Sequence, residues 1–150
     1  MYKNILVPTD GSKLSCKAIK EAISFSKVCG SKITVINVMP DSSAYISERY
    51  NVSPELAAPL KKKFQGEAAA RSKEIIDKAC ADSAAAHVTC TGISVTNDEP
   101  YEAIVKQAAK SKCDLIMMAS HGRKGLQSLL LGSETAKVLV HSKIPVLVVR

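Results

Sequence analysis

The chain has the length and composition of one globular domain. Its 150 residues are 46% hydrophobic and 23% charged, which excludes a disordered chain or a fibrous repeat, and we treat 1–150 as a single domain. The net charge of +7 would attract an anionic ligand or a nucleic acid. However, the densest basic run, LKKKFQ at 60–65, sits in a helical pattern with little aromatic interleaving, so a solvated helix face is favoured and a nucleic-acid partner is not expected.

The first part of the chain alternates between strand and helix patterns. KNILVPTD at 3–10 is a short apolar run that ends in a loop, which predicts a buried strand. From Ser12 the apolar residues recur at three- and four-residue spacing until Gly30, which predicts a helix. KITVINV at 32–38 is rich in β-branched residues and predicts a second strand, closed by Pro40.

The middle of the chain contains a segment without clear periodicity. We expect 41–53 to form a mobile loop, because serine, aspartate and tyrosine are mixed in it without a period. Ser53 and Pro54 then begin a long helical pattern that runs to about Cys80. HVTCTGISV predicts a third strand at 87–95.

The last third of the chain completes the alternation. PYEAIVKQAAKS predicts a helix at 100–111, and CDLIMMAS predicts a fourth strand at 113–120. A last helix is expected at 128–141, and IPVLVVR predicts a fifth strand at 144–150. Because parallel neighbours need crossover connections, this order favours an α/β fold with an open five-stranded parallel sheet and helices on both faces.

The sequence has no targeting or cysteine signature. The start MYKNILVPTDGSK has a lysine inside a short apolar run, and no stretch approaches about 18 apolar residues, so we expect a cytoplasmic protein with no membrane partner. The five cysteines are widely spaced and lack a CxxC pair, which predicts reduced packing cysteines and no metal site.

Three polar loops follow predicted strands. In an open parallel sheet, ligands bind beyond the carboxyl ends of the strands, near the point where the strand order reverses. The loops PTDGS, VMPDS and ASHGR all lie at such ends, so we expect them to share one crevice. Pro8, Thr9 and Asp10 are candidate binding residues from the first loop, and His121 is a candidate from the third.

The stretch ASHGRKGLQSLLLGSET is typical of an anion-binding segment. Gly122 and Gly125 can leave backbone amides uncovered, so that several N–H groups could converge on an anion. Gly132, Ser133 and Glu134 precede a helical pattern, and a helix that begins there would direct further N–H groups toward the same anion. A plain turn followed by a helix cap explains the spacing equally well.

No catalytic constellation accompanies this segment in the sequence. The spacing lacks the GK[ST] of a Walker A loop and the GxGxxG fingerprint of a dinucleotide site. His121 has no recognisable Ser/His/Asp or Cys/His partners, which favours a polar contact. Arg123 and Lys124 could flank phosphates as cations or could be solvated loop charges. We therefore predict a binding protein without catalytic residues.

The glycine-rich segment resembles the nucleotide motif of the universal stress protein family, G-x2-G-x9-G-[ST]. Gly122, nine intervening residues and then Gly132 and Ser133 match the second half of the motif, while Ala119 stands in place of its first glycine. The opening KNILVPTDGS and the closing IPVLVV also resemble this family, so the similarity covers the whole chain.

This resemblance implies a sheet of order 3-2-1-4-5 that binds ATP or another adenine nucleotide such as AMP, with Mg²⁺ as an accompanying ion. Asp10 would bond the ribose, and the backbone of Val38 would meet the adenine. Gly122, Gly132 and Ser133 would hold the phosphates. From the residues alone, Asp10 could equally cap the helix that follows it.

The resemblance also implies a homodimer that acts in a stress response. The fifth predicted strand has an edge that pairing would cover, with Val146 and Val148 near the twofold axis. Any ATP hydrolysis would be slow, because neither a base nor a positioned water is apparent. The alternative is a dimeric interaction module whose nucleotide site is closed by the methyl group of Ala119, which costs about 1 kcal/mol if its φ is positive.

Overall fold

Strands and helices alternate along the chain. The computed structural model describes residues 1–41, 43, 46, 49, 51–122 and 131–150. Within these residues the elements are β1 (Asn4–Pro8), α1 (Lys13–Cys29), β2 (Lys32–Met39), α2 (Pro54–Ala85), β3 (Cys90–Thr96), α3 (Pro100–Lys110), β4 (Leu115–Ala119), α4 (Ser133–His141) and β5 (Val146–Val149).

The strands form one parallel sheet in the order β3-β2-β1-β4-β5. β1 lies at the centre, where Ile5 pairs with Ile33 of β2 and with Leu115 of β4. The strand order reverses between β1 and β4, because the chain builds outward on one side of β1 before it returns to the other side. This topology confirms the predicted α/β fold and sheet order, and it puts the point of reversal at the carboxyl ends of β1 and β4.

Helices cover both faces of the sheet, as predicted. On one face Ile5 packs in a cluster with residues of α1 and α2, and on the other face Leu6 packs with residues of α3 and α4. Ile5, Leu6 and Val7 are all 0% exposed. A parallel strand that is buried on both sides needs apolar residues at every position, which explains the continuous apolar run of β1.

The predicted limits of the first helix are confirmed. Ser12 caps α1, since its Oγ accepts a hydrogen bond from the N–H of Ser15 at 3.2 Å. Gly30 ends the helix with a φ of 69°, and its N–H donates to the carbonyl of Ser26 at 2.8 Å. Glycine adopts this left-handed conformation without the steric cost of a side chain, so it stops the helix here.

Three described residues of the segment 41–53 contradict the predicted loop. Ser43, Ile46 and Arg49 have helical backbone conformation, and Ile46 is 1% exposed. The prediction of an irregular segment is therefore wrong at these positions. The sequence around Ile46 is mostly polar, so the apolar periodicity that indicates a helix is too weak to be detected there.

Helix α2 and strand β3 are displaced from their predicted limits. α2 continues past Cys80 to Ala85, because the alanine-rich sequence there has high helix propensity. β3 begins at Cys90 and not at 87, because His87 has a φ of 58° and turns the chain. Among the described helices, none has the length and apolar character needed to cross a bilayer.

Helix α2 approaches the edge strand β3 closely. The hydroxyl oxygens of Ser72 and Ser94 lie 2.7 Å apart. One turn further along the helix, a Cβ atom at position 92 would lie 2.0 Å from Cγ2 of Ile76. The φ of Gly92 lies outside the left-handed region. Glycine at this position is therefore required by the approach of the helix and not by the backbone angle.

We expect Gly92→Ala to destabilise the protein and Gly66→Ala to stabilise it. The methyl group at position 92 would overlap Ile76, which costs about 1 to 3 kcal/mol. At position 66 a Cβ atom meets nothing within 4 Å, and alanine inside a helix is favoured over glycine by about 0.5 to 1 kcal/mol. Chemical denaturation of both variants measures the two changes in the free energy of unfolding. A Gly92→Ala variant as stable as the unaltered chain would contradict this packing.

Candidate functional site

A cleft of about 680 Å³ lies at the carboxyl ends of the strands, where the strand order reverses. Its volume falls within the range of small-molecule sites. The polar loops after β1 and β4 and the start of α4 border it together. Ten of the residues selected from the sequence line the cleft: Pro8, Thr9, Asp10, Val38, Ala119, His121, Gly122, Gly132, Ser133 and Glu134.

Two further candidates cannot be assigned to the cleft. Arg123 and Gly125 lie outside the described residues, as does Lys124. The structure brings all three predicted loops to the cleft, the second through Val38 and Pro40. Direct contacts of these loops with a ligand stay a prediction.

Asp10 holds the loop after β1 and faces the glycine-rich segment. Its Oδ1 accepts a hydrogen bond from the N–H of Ser12 at 2.9 Å, and Gly11 between them has a φ of 75°. A Cβ atom at position 122 would lie 2.6 Å from Oδ2 of Asp10. The carboxylate thus supports the start of α1 and also borders the cleft. The two roles considered for Asp10 are structurally compatible.

Thr9 fixes the backbone of the same loop. Its N–H donates to the carbonyl of Ile36 at 2.9 Å, and its carbonyl accepts from the side-chain amide of Asn37 at 2.7 Å. Its hydroxyl lies 3.0 Å from that of Ser15, and Thr9 is 5% exposed. These bonds make Thr9 a residue that positions Asp10. The sequence gives little indication of Asn37, because a polar residue inside an apolar strand has no distinctive spacing.

Gly132 closes the base of the glycine-rich segment. Its N–H donates to the carbonyl of Ser120 at 2.7 Å. A Cβ atom at position 132 would lie 3.0 Å from both that carbonyl oxygen and the Cα of His121. Its φ is −62°, so a close approach of two backbone segments favours glycine here. The two ends of the segment are therefore held together by a direct backbone bond.

Helix α4 begins at this closure. Ser133 is its first residue, and Leu131 and Gly132 are not helical. The prediction that this helix includes 131–132 is therefore wrong, because the approach of Gly132 to Ser120 imposes an extended conformation there. Residues 128–130 of the predicted helix lie outside the described residues. The first N–H groups of an α-helix have no partner within the helix. At α4 they begin beside the cleft, where the positive end of the helix dipole favours an anion.

Ala119 occupies the end of β4 without backbone strain. Among the described residues, the non-glycine residues with positive φ are Asn51, His87 and Lys112, so alanine at 119 has an ordinary backbone angle. Its carbonyl accepts a hydrogen bond from the hydroxyl of Thr135 at 2.9 Å. The conformational cost considered for replacing the motif glycine with alanine is therefore absent.

The side chain of Glu134 connects α4 to α3. Its carboxylate accepts hydrogen bonds from the N–H of Tyr101 at 2.9 Å and from Nζ of Lys137 at 3.1 Å. Lys137 also donates to Glu99 at 3.2 Å. Hydrogen bonds to Glu134, and secondly to Glu99, raise the pKa of Lys137. Glu134 therefore borders the cleft, but its carboxylate is bound to Tyr101 and Lys137, and these bonds orient the start of α4.

The loop after β3 contributes residues that the sequence analysis did not select. Asn97, Asp98 and Pro100 line the cleft. Oδ1 of Asp98 accepts a hydrogen bond from the N–H of Asp41 at 2.8 Å, which joins this loop to the end of β2. The position of Asn97, Asp98 and Pro100 after a strand is the signal that could have identified them, because the carboxyl ends of all parallel strands lie on the same side of the sheet.

One wall of the cleft is apolar. Ile36 and Val38 of β2, Ile104 of α3 and Met118 of β4 line it. Val38 is half-buried, and it pairs with Val95 of β3 in the sheet. Ile36, Ile104 and Met118 are 0%, 4% and 6% exposed, so they form a packed apolar surface on which Val38 is the more exposed side chain. Such a surface suits a flat hydrophobic ring.

The surroundings of His121 offer no catalytic arrangement within the described part of the chain. Its Nδ1 lies 3.2 Å from the hydroxyl of Ser120, but Ser120 is 5% exposed and is not presented to a substrate. A search for groups of at least three histidine, cysteine, aspartate or glutamate side chains that could hold a metal ion finds none among these residues.

Comparisons with known proteins find relatives that match over the whole length of the chain. A sequence profile of the universal stress protein family matches residues 1–150. Universal stress protein MJ0531 of Methanocaldococcus jannaschii is 32% identical, and the alignment covers 100% of this chain and 83% of that protein. Universal stress protein MJ0577 of the same organism is 31% identical, with 100% and 96% covered. A solved structure of MJ0577 superposes with a TM-score of 0.79 over 99% of this chain and 96% of that one.

Two more distant structures of this fold were solved with nucleotides. One is a universal stress protein in complex with cAMP, 24% identical, with a TM-score of 0.68 over 99% of this chain and 97% of that one. The other is a universal stress protein from Archaeoglobus fulgidus in complex with dAMP, 16% identical, with a TM-score of 0.69 over 99% and 98%. The profile match over the full length and the two archaeal relatives establish that this chain belongs to the universal stress protein family.

Proposed function

We propose that this protein binds an adenine nucleotide, ATP or AMP, in the cleft at the carboxyl ends of the strands and serves as a nucleotide-dependent module in a stress response. One observation carries the proposal: an apolar wall and the amino end of α4 face the same cleft of about 680 Å³. A nucleotide has a flat, weakly polar base at one end and phosphates at the other. The apolar wall of the cleft would match the base, and the amino end of α4 would match the phosphates.

The adenine would lie against the apolar wall. Val38 and Met118 provide contact area for the ring, and burial of apolar area favours the binding of a small ligand. The backbone of Val38, near the end of β2, would form hydrogen bonds with the edge of the base. The solved complexes with cAMP and dAMP support an adenine-containing ligand, since adenine is common to both.

The ribose and phosphates would lie along the glycine-rich side. The carboxylate of Asp10 would accept hydrogen bonds from ribose hydroxyl groups, and Gly122, which has no side chain, allows this carboxylate to approach the glycine-rich segment. The phosphates would meet Gly132 and the first N–H groups of α4 at Ser133, where both the donors and the helix dipole favour negative charge. Arg123 and Gly125, which the sequence also assigns to phosphate binding, would complete this side.

Mg²⁺ would arrive with a triphosphate and would not be held by a protein cage. Asp10 and Asp98 already bring carboxylates to the cleft, so a cation that neutralises part of the phosphate charge reduces repulsion. Mg²⁺ is commonly bound by phosphate oxygens, one or two carboxylates and water. AMP carries less charge and would need no such ion.

Binding without rapid turnover is the proposed activity. Hydrolysis of a triphosphate requires a positioned water and a group that orients it. The described carboxylates of Asp10 and Glu134 hold backbone N–H groups, and the ring of His121 contacts Ser120. Any ATP hydrolysis would therefore be slow. A cytoplasmic location stays a prediction from the sequence.

The backbone of β5 supports a homodimer through this strand. The N–H of Ile116 donates to the carbonyl of Pro145, and the N–H of Ser120 donates to the carbonyl of Val149. The hydrogen-bonding groups of successive residues point to alternate sides of a strand. The N–H and carbonyl groups of Val146 and Val148 therefore point away from β4. β5 is an outer strand of the described sheet, so these groups could pair with the same strand of a second copy.

We expect Asp10→Asn to weaken ATP binding roughly 10- to 100-fold, because hydrogen bonds to a charged acceptor contribute about 1.5 to 3 kcal/mol. Calorimetric titration of protein freed of bound nucleotide would measure the dissociation constants of ATP and AMP with and without Mg²⁺. Asp77→Asn is the matched control, since Asp77 pairs with Lys73 on the surface of α2 and lies outside the cleft.

Dideoxy-ATP tests the assigned contact directly. If Asp10 bonds the ribose, the substitution should weaken binding of this analogue much less than binding of ATP. An equal loss for both ligands would contradict the ribose contact. Absence of heat with either ATP or AMP at millimolar concentration would refute nucleotide binding altogether and would favour the alternative of a dimeric interaction module.

We expect the unaltered chain to sediment as a dimer at micromolar concentration and Val148→Pro to sediment as a monomer. Proline removes an N–H that faces away from β4 and so leaves the β4–β5 bonds in place. Thr96→Pro at the end of the opposite edge strand, β3, is the control and should remain dimeric. Analytical ultracentrifugation gives the masses. A monomeric unaltered chain would refute the dimer, and a dimeric Val148→Pro would refute this interface.

A further inference from the structure

Cys80 and Cys90 form a close pair of thiols between α2 and β3. Cys80 lies on α2 and Cys90 is the first residue of β3. Their sulfur atoms are 2.8 Å apart, within about 1 Å of the length of a disulfide bond. Both side chains are free thiols and partly buried. Neither residue lines the nucleotide cleft.

The surrounding packing holds both sulfur atoms in place. A Cβ atom at position 92 would lie 2.0 Å from Cγ2 of Ile76 and 3.5 Å from Sγ of Cys80, so α2 and β3 are pressed together beside the pair. On the other side, the N–H of Val88 donates to the carbonyl of Ser83 at 2.9 Å, which fixes the turn between the two cysteines. Bond formation therefore requires the two sulfur atoms to approach each other by less than about 1 Å.

We infer that Cys80 and Cys90 form a reversible intramolecular disulfide when the protein meets a two-electron oxidant such as hydrogen peroxide. One thiolate attacks a peroxide oxygen, the O–O bond breaks, and a sulfenic acid and hydroxide form. The sulfur of the second cysteine then attacks the sulfenic sulfur, the S–O bond breaks, and the departing hydroxide takes the thiol proton. Overall, two thiols and one hydrogen peroxide yield one disulfide and two waters.

The environment of Cys90 disfavours its thiolate form. Desolvation, and secondly the adjacent Cys80, raise the pKa of Cys90 to about 12. Because the thiolate is the reactive form, Cys90 attacks peroxide slowly at neutral pH. The rate should rise as the pH is increased toward this value.

The disulfide would stabilise the outer strand β3. It would close a short loop between α2 and β3 and tie the outer strand to the helix that covers it. Closing a loop of this size restricts the unfolded chain and stabilises the fold. The oxidised protein should therefore unfold at a melting temperature roughly 5 to 10 °C higher than the reduced protein.

The test compares the unaltered protein before and after treatment with hydrogen peroxide at pH 8. Cleavage on the amino side of aspartate, without reduction, separates Cys80 in Asp77–Ala81 from Cys90 in Asp82–Asn97. We expect mass spectrometry to find these two peptides linked. The melting temperature should rise as given above, and dithiothreitol should reverse both changes. Cys90→Ser should abolish both, while the control Cys29→Ser should retain them.

Several results would overturn the inference. They are oxidation of Cys80 or Cys90 to sulfinic or sulfonic acid without linkage, linkage to another cysteine or between two chains, and a linked pair whose melting temperature does not rise. The unaltered protein alone decides among these outcomes, so the test does not depend on the folding of the variants.

Discussion

The central position of β1 is the constraint on which the rest of the structure depends. Ile5 pairs with neighbours on both sides, and Ile5, Leu6 and Val7 are 0% exposed. A parallel strand in this position requires its neighbours to arrive by crossovers, so the helices cover both faces and the strand order must reverse beside it. The loop after β1 then lies at the point of reversal, next to the loop after β4. The cleft is a consequence of this topology.

Residues that border the cleft also hold it together. Asp10 bonds the backbone at the start of α1, Gly132 bonds Ser120, and Glu134 joins two helices. A substitution at any of them changes both the shape of the site and any direct contact with a ligand. This overlap explains why ligand analogues are needed beside substitutions to assign a binding role, because an analogue alters the contact without altering the fold.

The two ends of β3 have separate roles in these proposals. Its carboxyl end leads to Asn97 and Asp98 in the cleft, whereas its amino end holds Cys90 against Cys80. Close packing of α2 over Gly92 lies between them. Nucleotide binding and thiol oxidation would thus involve opposite ends of the same strand, and each can be measured without the other.

The sequence by itself determined the features that depend on neighbouring residues in the chain: the apolar strands, the limits of α1 at Ser12 and Gly30, and the loops that could form a crevice. The resemblance to a family supplied the strand order. Only the tertiary structure decided that Ala119 has an ordinary φ, that Glu134 bonds Tyr101 and that Cys80 meets Cys90. Such contacts join residues that are apart in the chain or in different elements, and local patterns carry no information on how elements approach each other. The physical reason is that periodicity and capping reflect local backbone chemistry, whereas these contacts follow from the packing of helices on a completed sheet.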